Sequence, residues 1–275
     1  MAATKAISAT RASAPLSLPS ERQLVAELNA MAQKEEAIAL AIQGLQSGAF
    51  HHPDGRTDEL GLVRITMHQA GLLAHLAANC PKPLSVEVGF GMGTSAAVML
   101  GARRLAGKPF AHVIYDPYGL GDGRGEIVQE YLQQRFPKAF RRIVKRSEIG
   151  LAQLIDRNGP GAAGLIFIDG GHQFENVMVD FVLADQLCCE GGYIVFDDAS
   201  FPAIESTINY IMTNRPDYAV SHADMRNCAV LRKMGPDTRP WDAFSPFEIP
   251  DRHDWEAKPS ESQESVVATE ANATG

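Results

Sequence analysis

Short apolar runs alternate with amphipathic helical segments over the greater part of the chain. Five runs are apolar on both faces, which predicts strands at Leu84 to Val88, His112 to Tyr115, Arg142 to Val144, Leu165 to Ile168 and Tyr193 to Phe196. Between them, helical spacing of apolar residues predicts helices near Ser95 to Leu105, Glu126 to Arg135, Gly150 to Asp156 and Glu175 to Leu187. This alternation predicts an α/β fold with a doubly wound, Rossmann-like sheet that is mostly parallel.

Residues 20–80, upstream of the alternating region, have the pattern of a helical cap. Ser20 and Gln23 form a capping-box pair, and the apolar spacing that follows indicates one or two helices. A further helix is predicted from Thr66 to Asn79, before two prolines that end it. Residues 49–58, between these helices, are rich in loop-forming residues and are expected to be a loop.

Downstream of the fifth strand, the pattern predicts a helix from Ala203 to Thr213 and two more strands. These strands, Tyr218 to His222 and Cys228 to Arg232, lie so close in sequence that an antiparallel hairpin at one sheet edge is expected. The sheet and its helices are assigned to one domain, residues 81–251. Residues 1–19, rich in Ala, Ser and Thr, and residues 252–275, with little apolar content, are expected to be disordered tails. A transit peptide is the alternative for residues 1–19.

Charge and composition restrict the classes of partner. The 275 residues include 25 basic and 33 acidic side chains, a net charge of -8, so the basic excess of a nucleic-acid or anionic-membrane binder is absent. No apolar run approaches the ~18 residues of a membrane helix. The cysteines show no C-x-x-C pair or zinc-type spacing: Cys80, Cys188, Cys189 and Cys228. Free, mostly buried thiols and a cytoplasmic location are therefore expected.

Glycines follow the first predicted strand, at the sheet edge where open parallel sheets bind their ligands. Gly89, Gly91 and Gly93 let the backbone turn sharply and approach a ligand, beside the positive end of the next helix. A tight strand-to-helix turn without a ligand would show the same glycines. The dinucleotide fingerprint requires a glycine where Thr94 stands, which argues against NAD.

Acidic residues follow three other strands. Asp116 ends the second strand, where a carboxylate can accept hydrogen bonds from both hydroxyls of an adenosine ribose; its alternative role is to cap a loop before proline. Asp169 ends the fourth strand, and Asp197 and Asp198 end the fifth. Three converging carboxylates repel one another unless a cation neutralises them, and an oxygen-only set suits Mg²⁺. A metal site is predicted, with turn support by Asp169 and helix capping by Asp198 as the alternative.

Three segments together resemble class I S-adenosylmethionine-dependent O-methyltransferases, especially the metal-dependent branch with the catechol and macrocin-type enzymes. The segments are residues 86–95, 168–175 and 191–198, and the similarity spans roughly Thr66 to Arg232. Glu87, two residues before the first glycine, is characteristic of methyltransferases. The resemblance implies transfer of a methyl group from S-adenosylmethionine to a hydroxyl of a small molecule: a sugar, a phenol or catechol, or a natural-product scaffold.

The resemblance also implies a role for each site residue. The methionine end of the donor is surrounded by Glu87, Gly89, Gly91, Thr94 and Ser95. Asp116 holds the ribose, and Ser147 and Glu148 match the adenine-contacting position. The positions of the metal ligands are those of Asp169, Asp197 and Asp198, and Asp169 counts among the donor-binding positions as well.

One position departs from the macrocin-type pattern. Where many relatives carry Asp-Gly-Asp, this chain has Gly171 at the third position. Proton removal from the acceptor then falls to His172, where the catechol enzymes carry a lysine base, or the metal alone activates the acceptor. A structural cap is the alternative role of this histidine.

Two other functions stay open: a nicotinamide-dependent oxidoreductase on a similar fold, and a donor-binding protein without transfer activity. The acceptor is not identified, nor does the spacing single out one residue among the candidates for its side of the site: His51, His52, His68, His75 and Tyr118. A homodimer through the N-terminal helices also stays open.

Overall fold

The computed structural model of the protein describes residues 16–61, 64–118, 125–221 and 227–248. Residues 1–15 and 252–275 of the two predicted tails lie outside the described residues, and so does His222. The helices are α1 (Glu21–Ala32), α2 (Glu36–Ser47), α3 (Met67–Asn79), α4 (Thr94–Leu105), α5 (Glu126–Arg135), α6 (Ser147–Asn158), α7 (Phe174–Leu187) and α8 (Pro202–Asn214). The strands are β1 (Ala49–His51), β2 (Thr57–Glu59), β3 (Leu84–Val88), β4 (Ala111–Asp116), β5 (Phe140–Val144), β6 (Ala163–Ile168), β7 (Cys188–Phe196), β8 (Tyr218–Ser221) and β9 (Ala229–Lys233).

The main sheet has seven strands in the order β5-β4-β3-β6-β7-β9-β8. Strands β3 to β7 run parallel, and β9 is antiparallel both to β7 and to β8. The predicted doubly wound sheet with an antiparallel hairpin at its edge is therefore confirmed. The hairpin is inserted out of order, because its second strand lies next to β7 and its first strand forms the edge.

The sheet separates two hydrophobic cores, which explains why its strands are apolar on both faces. In β6, Leu165 and Phe167 pack into the core on the side of α1 to α4, whereas Ile166 and Ile168 pack into the core under α6 to α8. Successive side chains of a strand point to opposite faces, so one buried strand supplies both cores. The helical cap shares its core with the domain, because Leu24 of α1 belongs to the same cluster as Phe167.

Two predictions for individual elements need correction. Residues 49–58 are not simply a loop: β1 and β2 form an antiparallel hairpin in which Phe50 pairs with Asp58. Strands of three residues are too short to show a periodic pattern. The second correction concerns β7, which begins at Cys188 rather than at Tyr193, because the polar and glycine-rich stretch before Tyr193 hides the pairing of Cys188 with Ala163.

None of the described helices is long and apolar enough to cross a membrane. All four cysteines are free and buried, as predicted.

Candidate functional site

An open cavity of about 570 Å³ lies at the carboxyl ends of β3, β4, β5 and β6. Six of the predicted donor-binding residues line it: Gly89, Gly91, Asp116, Ser147, Glu148 and Asp169. The other three, Glu87, Thr94 and Ser95, are buried and do not line the cavity. The predicted positions therefore converge on one site: six of them line the cavity, and the three buried residues lie outside its lining.

The glycine-rich turn between β3 and α4 presses against the loop that follows β6. Gly89, Gly91 and Gly93 have positive φ angles of 87°, 48° and 71°. A Cβ atom at Gly89 would lie 2.0 Å from the carbonyl oxygen of Asp169, so no side chain fits there. Gly93 is the N-cap of α4, and the helix start has no side-chain hydrogen bond from it.

Glu87 connects three elements behind this turn. It is fully buried and accepts a hydrogen bond from the Ser95 hydroxyl. His112 Nε2 of β4 lies 2.8 Å from Glu87 Oε2, and His112 Nδ1 lies 2.9 Å from Ser85 Oγ. In this conformation Glu87 joins the start of α4 to β3 and β4. It does not contact the cavity directly, but it positions the backbone of the turn that does.

Asp116 is buried at the end of β4, and both of its oxygens accept hydrogen bonds. The backbone N–H groups of Phe90 and Tyr118 donate at 3.1 and 2.9 Å, so the loop-capping role is present as well. Arg142 of β5 donates to Asp116 at 3.2 Å and lies over the Phe90 ring, 4.4 Å from its centroid. The arginine was not predicted, because nothing in a strand-interior position marks it as a site residue.

The acidic cluster lies beside the cavity and shares Asp169 with it. Asp169, His172 and Asp198 offer ligand atoms that all lie within 4.8 Å of one another. His172 Nε2 is 3.2 Å from Asp198 Oδ2. Asp198 does not cap α8, which has no side-chain cap; its Oδ1 instead accepts a hydrogen bond of 2.6 Å from Asn227.

Asp197 stands behind this cluster. Its Oδ1 accepts hydrogen bonds from the Gln69 side-chain amide and from the backbone N–H of Asp198, the latter at 2.8 Å. Cys228 Sγ of the inserted hairpin is 3.6 Å from the same oxygen. Of the three predicted metal ligands, the structure thus brings Asp169 and Asp198 into one cluster with His172, and places Asp197 next to them.

The two aspartates of the cluster and the neighbouring Asp197 differ in proton affinity. Burial, and then the negative charges of Asp197 and Glu87, raise the pKa of Asp169 well above its ordinary value. Burial raises the pKa of Asp197 to about 6. Burial also acts to raise the pKa of Asp198, but hydrogen bonds from His172 and Asn227 outweigh it and lower that pKa. Ionisation of Asp169 and Asp197 is therefore unfavourable unless a positive charge lies beside them.

Four site residues were not predicted. Arg142 and His112 come from strand interiors, and Asp180 of α7 lines the cavity from a helix face. For Gln69, the sequence pattern indicates the capping box that it forms with Thr66. It does not indicate the hydrogen bond to Asp197, which is far away in sequence. Asp180 had a signal as well, because it interrupts the apolar face of α7.

The histidines proposed for the acceptor side do not line the cavity. His51 lies beside Thr57 in the β1–β2 hairpin, at 3.1 Å, and His52 is buried next to Asp54. The other two, His68 and His75, lie on α3 and pair with glutamates of α1. Among the acceptor-side candidates, Tyr118 lines the cavity.

Comparison with known proteins gives one family match and several similar structures. Residues 86–199 match a family described as a methyltransferase domain. A search of curated proteins gives no significant match. The fold resembles the SAH-bound methyltransferase PaMTH1 of Podospora anserina, with 14% identity, a TM-score of 0.54 and coverage of 81% of this chain and 100% of that one.

Two other similar structures are O-methyltransferases. TomG of Streptomyces achromogenes, involved in tomaymycin synthesis and solved with SAM, has 15% identity and a TM-score of 0.52, covering 80% of this chain and 100% of TomG. CalS11, a TDP-rhamnose 3′-O-methyltransferase of calicheamicin biosynthesis, has 12% identity and a TM-score of 0.52, covering 79% and 96%. At these identities the likeness establishes the fold.

Proposed function

We propose that the protein transfers a methyl group from S-adenosylmethionine to a hydroxyl of a small molecule, because residues 86–199 match a methyltransferase domain family. One observation carries the proposal: Asp169 both lines the cavity and belongs to the acidic cluster. A donor in the cavity would therefore have its reactive end beside the groups that can hold and deprotonate a hydroxyl. Placing the two reactants side by side makes the reaction effectively unimolecular.

The cavity walls suit the parts of this donor. The turn at residues 89–92, which lines the cavity just before α4, would hold the donor's carboxylate, and Asp116 would accept hydrogen bonds from the ribose hydroxyls. Ser147 and Glu148, in the first turn of α6, would lie at the adenine. Similar folds bind SAH in PaMTH1 and SAM in TomG, which supports this choice of donor.

The acidic cluster suits a divalent cation, and Mg²⁺ is the ion we expect. The carboxyl of Asp169 lies near the negative charges of Asp197, Glu87 and Asp198, which a divalent cation would offset. Asp169 and Asp198 would hold the ion, and Asp197, His172 and ordered water would lie near its remaining coordination positions. Such an ion lowers the pKa of a hydroxyl bound to it.

His172 is our candidate for the general base. Its ring is partly exposed and stands edge-on to Phe201, with ring centroids 4.8 Å apart. Because Asp198 lies 3.2 Å from Nε2, a proton taken from the acceptor leaves an imidazolium beside a carboxylate. If His172 instead ligates the ion, the ion alone activates the acceptor.

The acceptor class is a small molecule with a hydroxyl group. A sugar, a phenol or catechol, and a natural-product scaffold all fit an open cavity lined by the exposed ring of Tyr118. The name of CalS11 gives a sugar as the acceptor of a similar fold. The buried free thiols favour a reducing compartment, as in the cytoplasm.

The test is a transfer assay with labelled S-adenosylmethionine and a panel of hydroxylated sugars, phenols and catechols. We expect label to reach at least one acceptor in the presence of Mg²⁺, and the rate to fall with a chelator or in Asp169→Asn. Glu175→Gln, which removes an exposed carboxylate of α7, is the control for the loss of charge.

Calorimetry with the same donor separates the competing functions. Donor binding without transfer to any acceptor would favour a binding protein that lacks transfer activity. Binding of NAD in place of S-adenosylmethionine would favour an oxidoreductase, and failure to bind S-adenosylmethionine would overturn the proposed function.

A further inference from the structure

Asp180 is a buried carboxyl group that faces the cavity from α7. It is 2% exposed, lines the cavity, and its Oδ1 has no hydrogen-bond partner in the part of the chain that the structure describes. A buried polar atom without a partner is unfavourable in a folded protein unless a ligand or water completes it. Asp180 plays no part in the acidic cluster or in the contacts described so far.

The surroundings of Asp180 place it at the α6 end of the cavity. The Ser147 side chain forms a hydrogen bond with the Asp180 carboxyl, and the negative charge of Glu148 lies close enough to raise its pKa. Both residues belong to the first turn of α6. On the other side, a Cβ atom at Gly170 would lie 3.9 Å from Asp180 Oδ2. The carboxyl therefore lies between the start of α6 and the loop after β6.

A carboxylate in this position selects for a ligand group that donates a hydrogen bond. Burial raises the pKa of Asp180 to about 6, so the group is mostly ionised at pH 7.5 and can only accept. Among the parts of an adenosine, the ribose hydroxyls are already matched by Asp116, and the exocyclic amine of the base is the remaining neutral donor. Among the described residues, no protein group donates a hydrogen bond to Asp180 Oδ1.

We propose that Asp180 accepts a hydrogen bond from the exocyclic amine of the donor's adenine and thereby distinguishes it from purines with a carbonyl at that position. The inference rests on the proposed function, because it assumes that an adenosine-containing donor occupies the cavity. Asp180 would then set specificity for the base, whereas Asp116 holds the sugar.

The experiment compares two ligands: S-adenosylhomocysteine and S-inosylhomocysteine, in which a carbonyl replaces the amine. The wild-type protein at pH 7.5 should bind the adenosyl compound at least about a hundredfold more tightly in calorimetry, because two acceptors would otherwise face each other. This measurement does not depend on the folding of any variant. Equal affinity of the wild-type protein for both ligands would overturn the inference and leave the proposed function standing.

Asp180→Asn provides the second measurement, since its amide can donate to a carbonyl. The variant should bind S-adenosylhomocysteine roughly tenfold to a hundredfold more weakly and lose or reverse the preference. Glu175→Gln, on the exposed side of the same helix, should keep both affinities. A variant that weakens both ligands by the same factor would overturn the inference, because the carboxyl would then act on a shared part of the molecule. Failure of the wild-type protein to bind S-adenosylhomocysteine would instead overturn the proposed function itself.

Discussion

His172 and Asp198 form a pair at the exposed rim of the acidic cluster. The His172 side chain is 39% exposed, so it can meet an acceptor, while Asp198 is held from behind by Asn227. An imidazole in this setting is placed to take a proton without being a fixed part of the donor cavity. Its contribution should therefore appear in the rate of transfer more than in donor affinity.

His172→Ala should lower the turnover number at least about tenfold and leave the affinity for S-adenosylmethionine nearly unchanged. Steady-state kinetics and donor calorimetry measure the two effects separately. His68→Ala is a matched control, because His68 is 38% exposed and also pairs with a carboxylate, Glu21, but does not line the cavity. Unchanged turnover would remove His172 from the reaction.

At the scale of elements, the site depends on the contact between the turn after β3 and the loop after β6. This contact is made by backbone, since Gly89 leaves no room for a Cβ atom beside the Asp169 carbonyl. Because Asp169 belongs to the acidic cluster and Gly89 to the donor cavity, one contact sets the distance between the two halves of the site.

Gly89→Ala should destabilise the protein by more than about 2 kcal/mol and abolish donor binding, because the positive φ and the clash act together. Gly107→Ala is the matched control. Gly107 also has a positive φ, of 67°, but nothing lies within 4 Å of a Cβ atom there. Urea denaturation should therefore show a cost of only about 1 kcal/mol for Gly107→Ala, against more than about 2 kcal/mol for Gly89→Ala. Equal costs would mean that the contact with Asp169 relaxes freely.

The sequence predicted elements better than contacts between elements. The buried strands and the helices between them have strong periodic patterns, and the glycines and acids that follow the strands mark the edge of the sheet where ligands bind. The contact of Gln69 with Asp197 and that of Arg142 with Asp116 join residues whose chain neighbours carry no signal of the partner. The packing of α3 against the sheet and the pairing of β5 with β4 bring these residues together.

At the scale of the whole molecule, buried acids make the stability of the fold depend on pH. Asp180 binds its proton more tightly in the folded state, with a pKa of about 6 against an ordinary 3.8. The folded protein therefore holds more protons than the unfolded chain between pH 4 and 6, so the contribution of this group is most favourable at low pH and is lost as pH rises through that range. Asp169 and Asp197 act in the same direction.

Asp180→Asn should remove part of this dependence. Without ligands and with a chelator, the free energy of unfolding of the wild-type protein should fall between pH 4.5 and 7.5, and the Asp180 share of the fall is about 2 kcal/mol. Urea denaturation at the two pH values measures it, with Glu175→Gln as the control that keeps the wild-type dependence. Parallel curves for Asp180→Asn and wild type would contradict the assigned proton affinity.

The place of β9 has a consequence for synthesis on the ribosome. Its residues Ala229–Lys233 fill the gap between β7 and β8, and the preceding Asn227 and Cys228 contact Asp198 and Asp197. The donor cavity is built from residues translated earlier, so a nascent chain can form its walls while the free edge of β7 still has no neighbour. Until β9 emerges from the exit tunnel, the nascent chain exposes the unpaired edge of β7 to other chains. It also lacks the groups that contact Asp197 and Asp198.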